Sequence, residues 1–219
     1  MTSNSLSDLG LDQPTVRTFA FDLPLSSAAY PVIYADPPWG WSQSPLVNRG
    51  SARAVEKEYA TLSAPRPTRS GRVDVTALAS IPVQEWSADN ALLFMWATGP
   101  KLPQALALMS EWGFTYKTIG FVWVKQNLRT SSLFWGMGFY TRANAELCLI
   151  GAKGKGLTRK DAGVHQIIEA PVGKHSRKPD ETRHRIERLY DGPYLELFAR
   201  ERAPGWDAWG DELPEEESA

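Results

Sequence analysis

Apolar residues along the 219-residue chain fall into short blocks separated by polar, Pro- and Gly-marked stretches. PVIYA (31–35) is a β-rich run that stops abruptly at Asp36-Pro37-Pro38, which predicts a strand ending at a loop. ALLFMWAT (91–98) is continuously apolar, as expected of a strand buried on both faces. From Lys101 to Trp112 the apolar positions Leu102, Ala105, Leu106, Met109 and Trp112 fall at helical spacing, and Gly113 ends the helix. FTYKTIGFVWVK (114–125), AELCLIGA (145–152) and YLELFA (194–199) predict further strands. From Pro179 to Tyr190 a second helix is expected, with acids Asp180 and Glu181 at its start and Ile186, Leu189 and Tyr190 turned inward. Strands alternating with helices predict an α/β fold with a mostly parallel sheet covered by helices on both faces. Ligands of such sheets sit beyond the carboxyl ends of the strands. Asp36-Pro37-Pro38-Trp39 lies at one such end and Arg200 at another.

The remaining segments set the expected organisation. Residues 1–16 are polar and read as a flexible N-terminus, 17–213 as a single domain, 42–74 as a mobile Ser-, Arg- and Pro-rich insertion, and 214–219 as an acidic tail. With 42% apolar and 22% charged residues the chain matches an ordinary globular protein. It has no apolar run of membrane-spanning length and no signal-peptide pattern at its start, so a cytoplasmic protein without membrane partners is expected. The single cysteine, Cys148, and three histidines show no ligand spacing, so no metal site is expected. Net charge is −1, yet residues 41–72 carry +4 and 151–188 carry +5, masked by −7 over 189–219. A local phosphate-binding surface therefore stays open beside the alternative of solvated loops and a helix face.

The chemistry is concentrated in Asp-Pro-Pro-Trp. Two consecutive prolines fix φ twice and remove two backbone donors. They leave an acceptor cluster: the Asp36 carboxylate and the backbone carbonyls, particularly that of Pro37. Acceptors without donors suit a ligand group carrying two N–H bonds, such as an exocyclic amine, and Trp39 adds a π face on which a planar base can stack. The competing interpretation is a Pro-Pro turn whose Trp fills the core. Gly151-Ala-Lys-Gly-Lys-Gly156 lacks the Gly-Lys-Ser/Thr end of a phosphate loop, and a hairpin turn is expected there instead.

YADPPW, followed in order by LLFMWATGP, FVWVK, GFYTRANAELCLIGAKG, SRKPDE, LELFAR and PGWDAWGDEL, resembles the A-seventy family of N6-adenine methyltransferases. The resemblance runs from about Phe21 to Leu213 and is poor only over 42–74. It implies a Rossmann-like class I methyltransferase with permuted motif order, in which the catalytic motif precedes the cofactor strand. It also implies S-adenosylmethionine as cofactor and the N6 amine of adenine as acceptor. Asp36 and the Pro37 carbonyl are then expected to accept from that amine, and Pro38 and Trp39 to wall and stack the base. Lys178 of SRKPDE matches a lysine pairing with the cofactor carboxylate, while the Asp36 position also touches the cofactor ammonium. Asp22 and Leu23 match a pair reading the cofactor adenine, Glu196 and Arg200 lie beside its ribose, and Asp211 and Glu212 stand where relatives carry an amide pair.

Arg49, Arg53, Arg66, Arg69 and Arg72 of the insertion are the candidates for phosphate contacts. Arg142 and Glu146 are open to two readings, a structural ion pair or a substrate-loop contact. DNA is the expected substrate, single-stranded or flipped, because the amine must leave the stack to react. RNA, a non-catalytic nucleic-acid-binding subunit and methylation of a protein amide are the alternatives. The assembly is expected to be a monomer or homodimer, with a heteromeric partner as a further option.

Overall fold

The computed structural model describes residues 29–39, 76–138, 140–173, 177–210 and 213. In chain order the elements are β1 (Tyr30–Ala35), α1 (Thr76–Ala79), α2 (Val83–Trp86), β2 (Ser87–Ala97), a 3₁₀ turn (Gly99–Lys101) leading into α3 (Leu102–Glu111), β3 (Thr115–Gln126), β4 (Ala145–Lys153), β5 (Ile167–Pro171), α4 (Glu181–Leu189), β6 (Tyr194–Leu197) and β7 (Trp206–Trp209). The seven strands form one sheet in the order β5-β3-β4-β2-β1-β6-β7.

β1 lies between β2 and β6 and is parallel to both, with Ala35 opposite Met95 on one side and Leu197 on the other. β3 and β5 are parallel, as are β6 and β7. β4 alone runs against its neighbours, β2 and β3. The sheet is thus mostly parallel, as the alternation of strands and helices predicts.

Side chains alternate between two cores. Ile33, Ala35, Leu93, Met95 and Ala97 face one, with Ala105, Leu108, Met109 and Trp112 of the α3 region. Val32, Tyr34, Leu92, Phe94 and Trp96 face the other, with Ile186 and Leu189 of α4. This explains why the apolar run in β2 is continuous: both faces are covered, and neither position parity is left to water. Full burial of each Val, Leu, Ile, Phe or Met among them contributes about 1.5–3 kcal/mol.

The boundaries depart from expectation in instructive ways. β2 begins at Ser87, and Asp89 and Asn90 near its start are exposed, so the apolar run marks only its covered part. α1, α2, β5 and β7, of four or five residues each, escape the hydrophobic pattern because, unlike β6, none sits in a longer apolar run that marks it. The turn after β4 exists at Gly154, where a Cβ would lie 2.3 Å from the Asp89 carbonyl oxygen, so only glycine fits. It is no hairpin, however, since the next strand, β5, pairs in parallel with β3. Among the described residues no helix is long and apolar enough to cross a membrane.

Candidate active site at the carboxyl edge of the sheet

β1 delivers Asp36-Pro37-Pro38-Trp39 to the carboxyl edge of the sheet. The Asp36 N–H reaches the Leu197 carbonyl of β6 at 3.4 Å, so the residue is anchored as the chain leaves the sheet. The Trp39 N–H donates to the Pro37 carbonyl at 2.8 Å, closing a tight turn. Its indole N–H donates to the Trp96 carbonyl at 2.9 Å, which pins the ring to the end of β2. Trp39 is partly buried and packs against the α3-side core. The Pro37 oxygen therefore already accepts one hydrogen bond, and its second lone pair remains for a ligand.

Asp36 heads a chain of four alternating charges. Its Oδ2 accepts from Lys178 Nζ at 2.7 Å, Lys178 Nζ lies 3.4 Å from Glu146 Oε2, and Glu146 Oε1 accepts from Lys125 Nζ at 2.5 Å. Lys178 projects from the segment before α4, Glu146 lies in the first residues of β4 and Lys125 in the last of β3, so four separate segments converge on one edge. Tryptophans support both ammonium groups: Lys178 Nζ lies 5.7 Å from the Trp96 ring centroid and Lys125 Nζ 4.9 Å from that of Trp123.

Burial sets the electrostatics. Desolvation opposes charge on Lys178, but Asp36 and Glu146 outweigh it and hold the ammonium above the ordinary lysine value. Burial likewise pushes the Glu146 carboxyl up, yet Lys178 and Lys125 prevail and keep it below the usual glutamate range. Each buried charge carries a desolvation penalty of several kcal/mol, so the alternation is what holds Lys178 and Glu146 in their charged forms. Beneath them the Trp96 indole N–H donates to the Tyr34 hydroxyl at 2.6 Å, and burial raises the Tyr34 phenol.

Glu196, on β6, is equally buried but differently engaged. Arg183 of α4 donates to both of its oxygens, from Nε to Oε2 at 2.7 Å and from Nη2 to Oε1 at 3.0 Å. Arg183 also reaches Asp180 at 2.7 Å and Glu201 at 3.3 Å, and Arg177 binds the same two carboxylates. Arg200 lies partly buried just beyond β6. Arg142 is exposed in the β3–β4 connection, and Glu146 pairs with Lys125 and Lys178 instead.

Asp22, Leu23, Arg49, Arg53, Arg66, Arg69, Arg72, Asp211 and Glu212 lie outside the described residues. The sequence reading missed Lys125 and Arg183. Lys125 carries a faint signal, a charge at the end of the apolar run FVWVK. Arg183 stands three residues before Ile186 on the inward face of α4, a position where an Arg demands a partner.

A model of the MT-A70 family matches residues 30–212. The chain belongs to the MT-A70 family. It is a methyltransferase family, in general dependent on S-adenosylmethionine, as the motifs from YADPPW onward imply. The chain is 33% identical over 194 residues to the type II methyltransferase M.MunI of Mycoplasma sp, covering 85% of this chain and 78% of that one. It is 29% identical over 188 residues to the N(6)-adenosine-methyltransferase catalytic subunit METTL3 of Homo sapiens, covering 84% of this chain. The MT-A70-like N(6)-adenosine-methyltransferase of Drosophila melanogaster is 29% identical over 189 residues. The chain spans 28% of METTL3 and 27% of the fly protein.

Proposed function

We propose that this MT-A70 protein transfers the methyl group of S-adenosylmethionine to the N6 amine of adenine in DNA. The observation that carries the reading is the Asp36–Lys178 pair, 2.7 Å apart at the end of β1, beside a Trp39 ring pinned by its own indole N–H. The donor set fits the amino-acid end of the cofactor: an ammonium on Lys178 for its carboxylate and a carboxylate on Asp36 for its ammonium. Glu196 lies on the next strand, and Arg200, near the ribose in this reading, lies just beyond its end. Both Glu196 oxygens are held by Arg183, so Glu196 meets a diol only through its remaining lone pairs. When bound, the cofactor supplies an electrophilic sulfonium methyl group.

The chain's own part is positional. Asp36 and the Pro37 carbonyl accept the two N–H bonds of the adenine amine. Holding both reduces conjugation of the nitrogen lone pair with the ring and aims it out of the base plane. Pro38 walls the base and Trp39 stacks on it, so the reacting nitrogen is held in a near-attack geometry. A non-catalytic subunit has no need of Asp36, Trp39 and Lys178 together.

DNA is preferred to RNA because similarity is greater to M.MunI, at 33% over 78% of its length, than to METTL3, at 29% over 28%. In this reading residues 17–213 act as one methyltransferase domain, as a monomer or homodimer. The test is methyl transfer from labelled S-adenosylmethionine to matched DNA and RNA oligonucleotides, single- and double-stranded, with Asp36→Ala alongside. Label in N6-methyladenine of DNA, lost in Asp36→Ala, is the expected result. Label in RNA alone transfers the reading to RNA. Retained cofactor binding with no labelled strand overturns both.

A further inference from the structure

Exposed large apolar side chains gather in the connection between β3 and β4. Leu128, Leu133, Trp135, Met137 and Tyr140 all lie there, Trp135 at 54% exposure and Tyr140 fully exposed. The segment is nevertheless built. The Asn127 N–H donates to the Ser132 carbonyl at 2.8 Å, the Phe134 N–H to Lys125 at 2.9 Å and the Gly136 N–H to Ala143 at 2.7 Å. The Asn144 side chain donates to the Lys125 carbonyl at 2.9 Å and also to that of Phe134. A Cβ at Gly138 would stand 1.9 Å from the Thr141 carbonyl oxygen, so the chain folds back on itself there only because the residue is glycine. A self-bonded loop that leaves its aromatic rings outside is holding them out for something.

Two further observations say what. The connection is rooted in the site, because its Asn144 grips the backbone of Lys125, whose ammonium leads through Glu146 and Lys178 to Asp36. Between Asn127 and Asn144 the only charged residues are Arg129 and Arg142, both exposed, with no carboxylate in the segment and none paired with them among the described residues. Ring faces with arginines and no acid repel no phosphate. They suit stacked bases on an anionic backbone. A duplex presents no free base face, so such a platform serves unpaired bases.

We propose that residues 127–138 and 140–144 form a stacking platform for unpaired nucleotides flanking the target adenine, with Trp135 and Tyr140 as ring faces and Arg129 and Arg142 as phosphate contacts. This rests on the nucleic-acid reading of the site and adds strand geometry to it.

The test is fluorescence anisotropy with a labelled adenine-containing single strand and its duplex, using the full chain at fixed salt. Trp135→Ala and Tyr140→Ala should each weaken single-strand binding about five- to tenfold, with a smaller loss on the duplex. Trp135→Phe and Tyr140→Phe should bind within about twofold of the parent, since they keep a ring to stack. Removing either arginine should lower the salt dependence of log Kd by roughly 0.7. Equal thermal melts confirm that the variants fold, and a poorly folding alanine variant leaves the phenylalanine and arginine arms to decide.

Alanine variants with the parent's single-strand affinity overturn the platform, as do alanine and phenylalanine variants that fall equally. So does a shift from dimer to monomer in sedimentation at unchanged strand affinity, which makes this face an interface between copies of the chain. If the parent binds cofactor but neither a DNA nor an RNA strand, the nucleic-acid reading itself fails, and the platform with it.

Discussion

Arg177 and Lys178 are adjacent in sequence and enter two different charge networks. Lys178 turns inward, to Asp36 and Glu146, and its side chain is 10% exposed. Arg177 turns outward, to Asp180 and Glu201, and is 50% exposed. The inner contacts run from Asp36 through Lys178 and Glu146 to Lys125, with Asp36 at one end bonded to a single described side chain and facing the carboxyl edge of the sheet. The outer one is branched and saturated: Arg183 alone serves Asp180, Glu196 and Glu201. A structural network closes on itself. A site leaves an end open, and Asp36 is that end.

The largest effect should come from the open end. Asp36→Ala removes the acceptor we propose for the amine and strips Lys178 of its nearer carboxylate. Turnover should fall roughly 10²–10³-fold or more, as when a positioned polar group is lost from other active sites. Asp36→Asn, which keeps shape but loses the charge, should fall nearly as far in kcat while melting closer to the parent. Turnover within tenfold of the parent in Asp36→Ala would dissolve the contrast between the two networks.

Next comes the inner edge of the outer network. Arg183→Met leaves the buried Glu196 carboxylate without its fork, and breaking a buried pair in this way costs about 3–5 kcal/mol. Denaturant unfolding should show that loss as a lower midpoint. Lys178→Met belongs to the other network and should act first on ligand affinity, weakening cofactor binding roughly ten- to a hundredfold by titration calorimetry. A purely stability-lowering Lys178→Met, with unchanged cofactor affinity, would make Lys178 structural and move it to the Arg183 class.

A smaller effect is readable in pH. The Glu146 carboxyl is held below its ordinary value in the fold because Lys178 and Lys125 outweigh burial. The unfolded chain therefore binds the proton more readily. The stability from Glu146 is present above the unfolded glutamate value, about 4.3, and is lost as pH falls through the lower folded value. Glu146→Gln should flatten that part of the acid limb when unfolding is measured across it. An unchanged slope would mean that the inner chain is less coupled than its distances imply.

Much of this was legible in the sequence, and the remainder had physical reasons to be hidden. β1 and the covered part of β2 showed as continuous apolar runs because each serves two cores. Asp36-Pro37-Pro38-Trp39 announced an acceptor cluster by its own stereochemistry. Lys178 is legible only through the family resemblance, since nothing local separates it from Arg177. Lys125 and Glu146 lie 21 residues apart and meet only through the antiparallel register of β3 and β4, where Trp123 faces Glu146. Arg183 could have been found from its place on the inward face of α4, but its partner Glu196 belongs to a strand whose neighbours only the sheet order reveals.

Arg177 offers the smallest and most discriminating change. Its pairs with Asp180 and Glu201 are about half exposed on the arginine side, so solvent and salt screen them, and Arg177→Ala should cost less than about 1 kcal/mol. That cost should shrink further between low and high salt in thermal melts, because exposed pairs lose most of their attraction beyond a Debye length of about 8–10 Å. Cofactor affinity should stay within about twofold of the parent, although the neighbouring residue, Lys178, is the one we propose binds the cofactor carboxylate. A loss in Arg177→Ala as large as in Arg183→Met, insensitive to salt, would show that the outer network acts as one buried unit. Direction along the chain, rather than exposure, would then be all that separates the two lysine- and arginine-built networks.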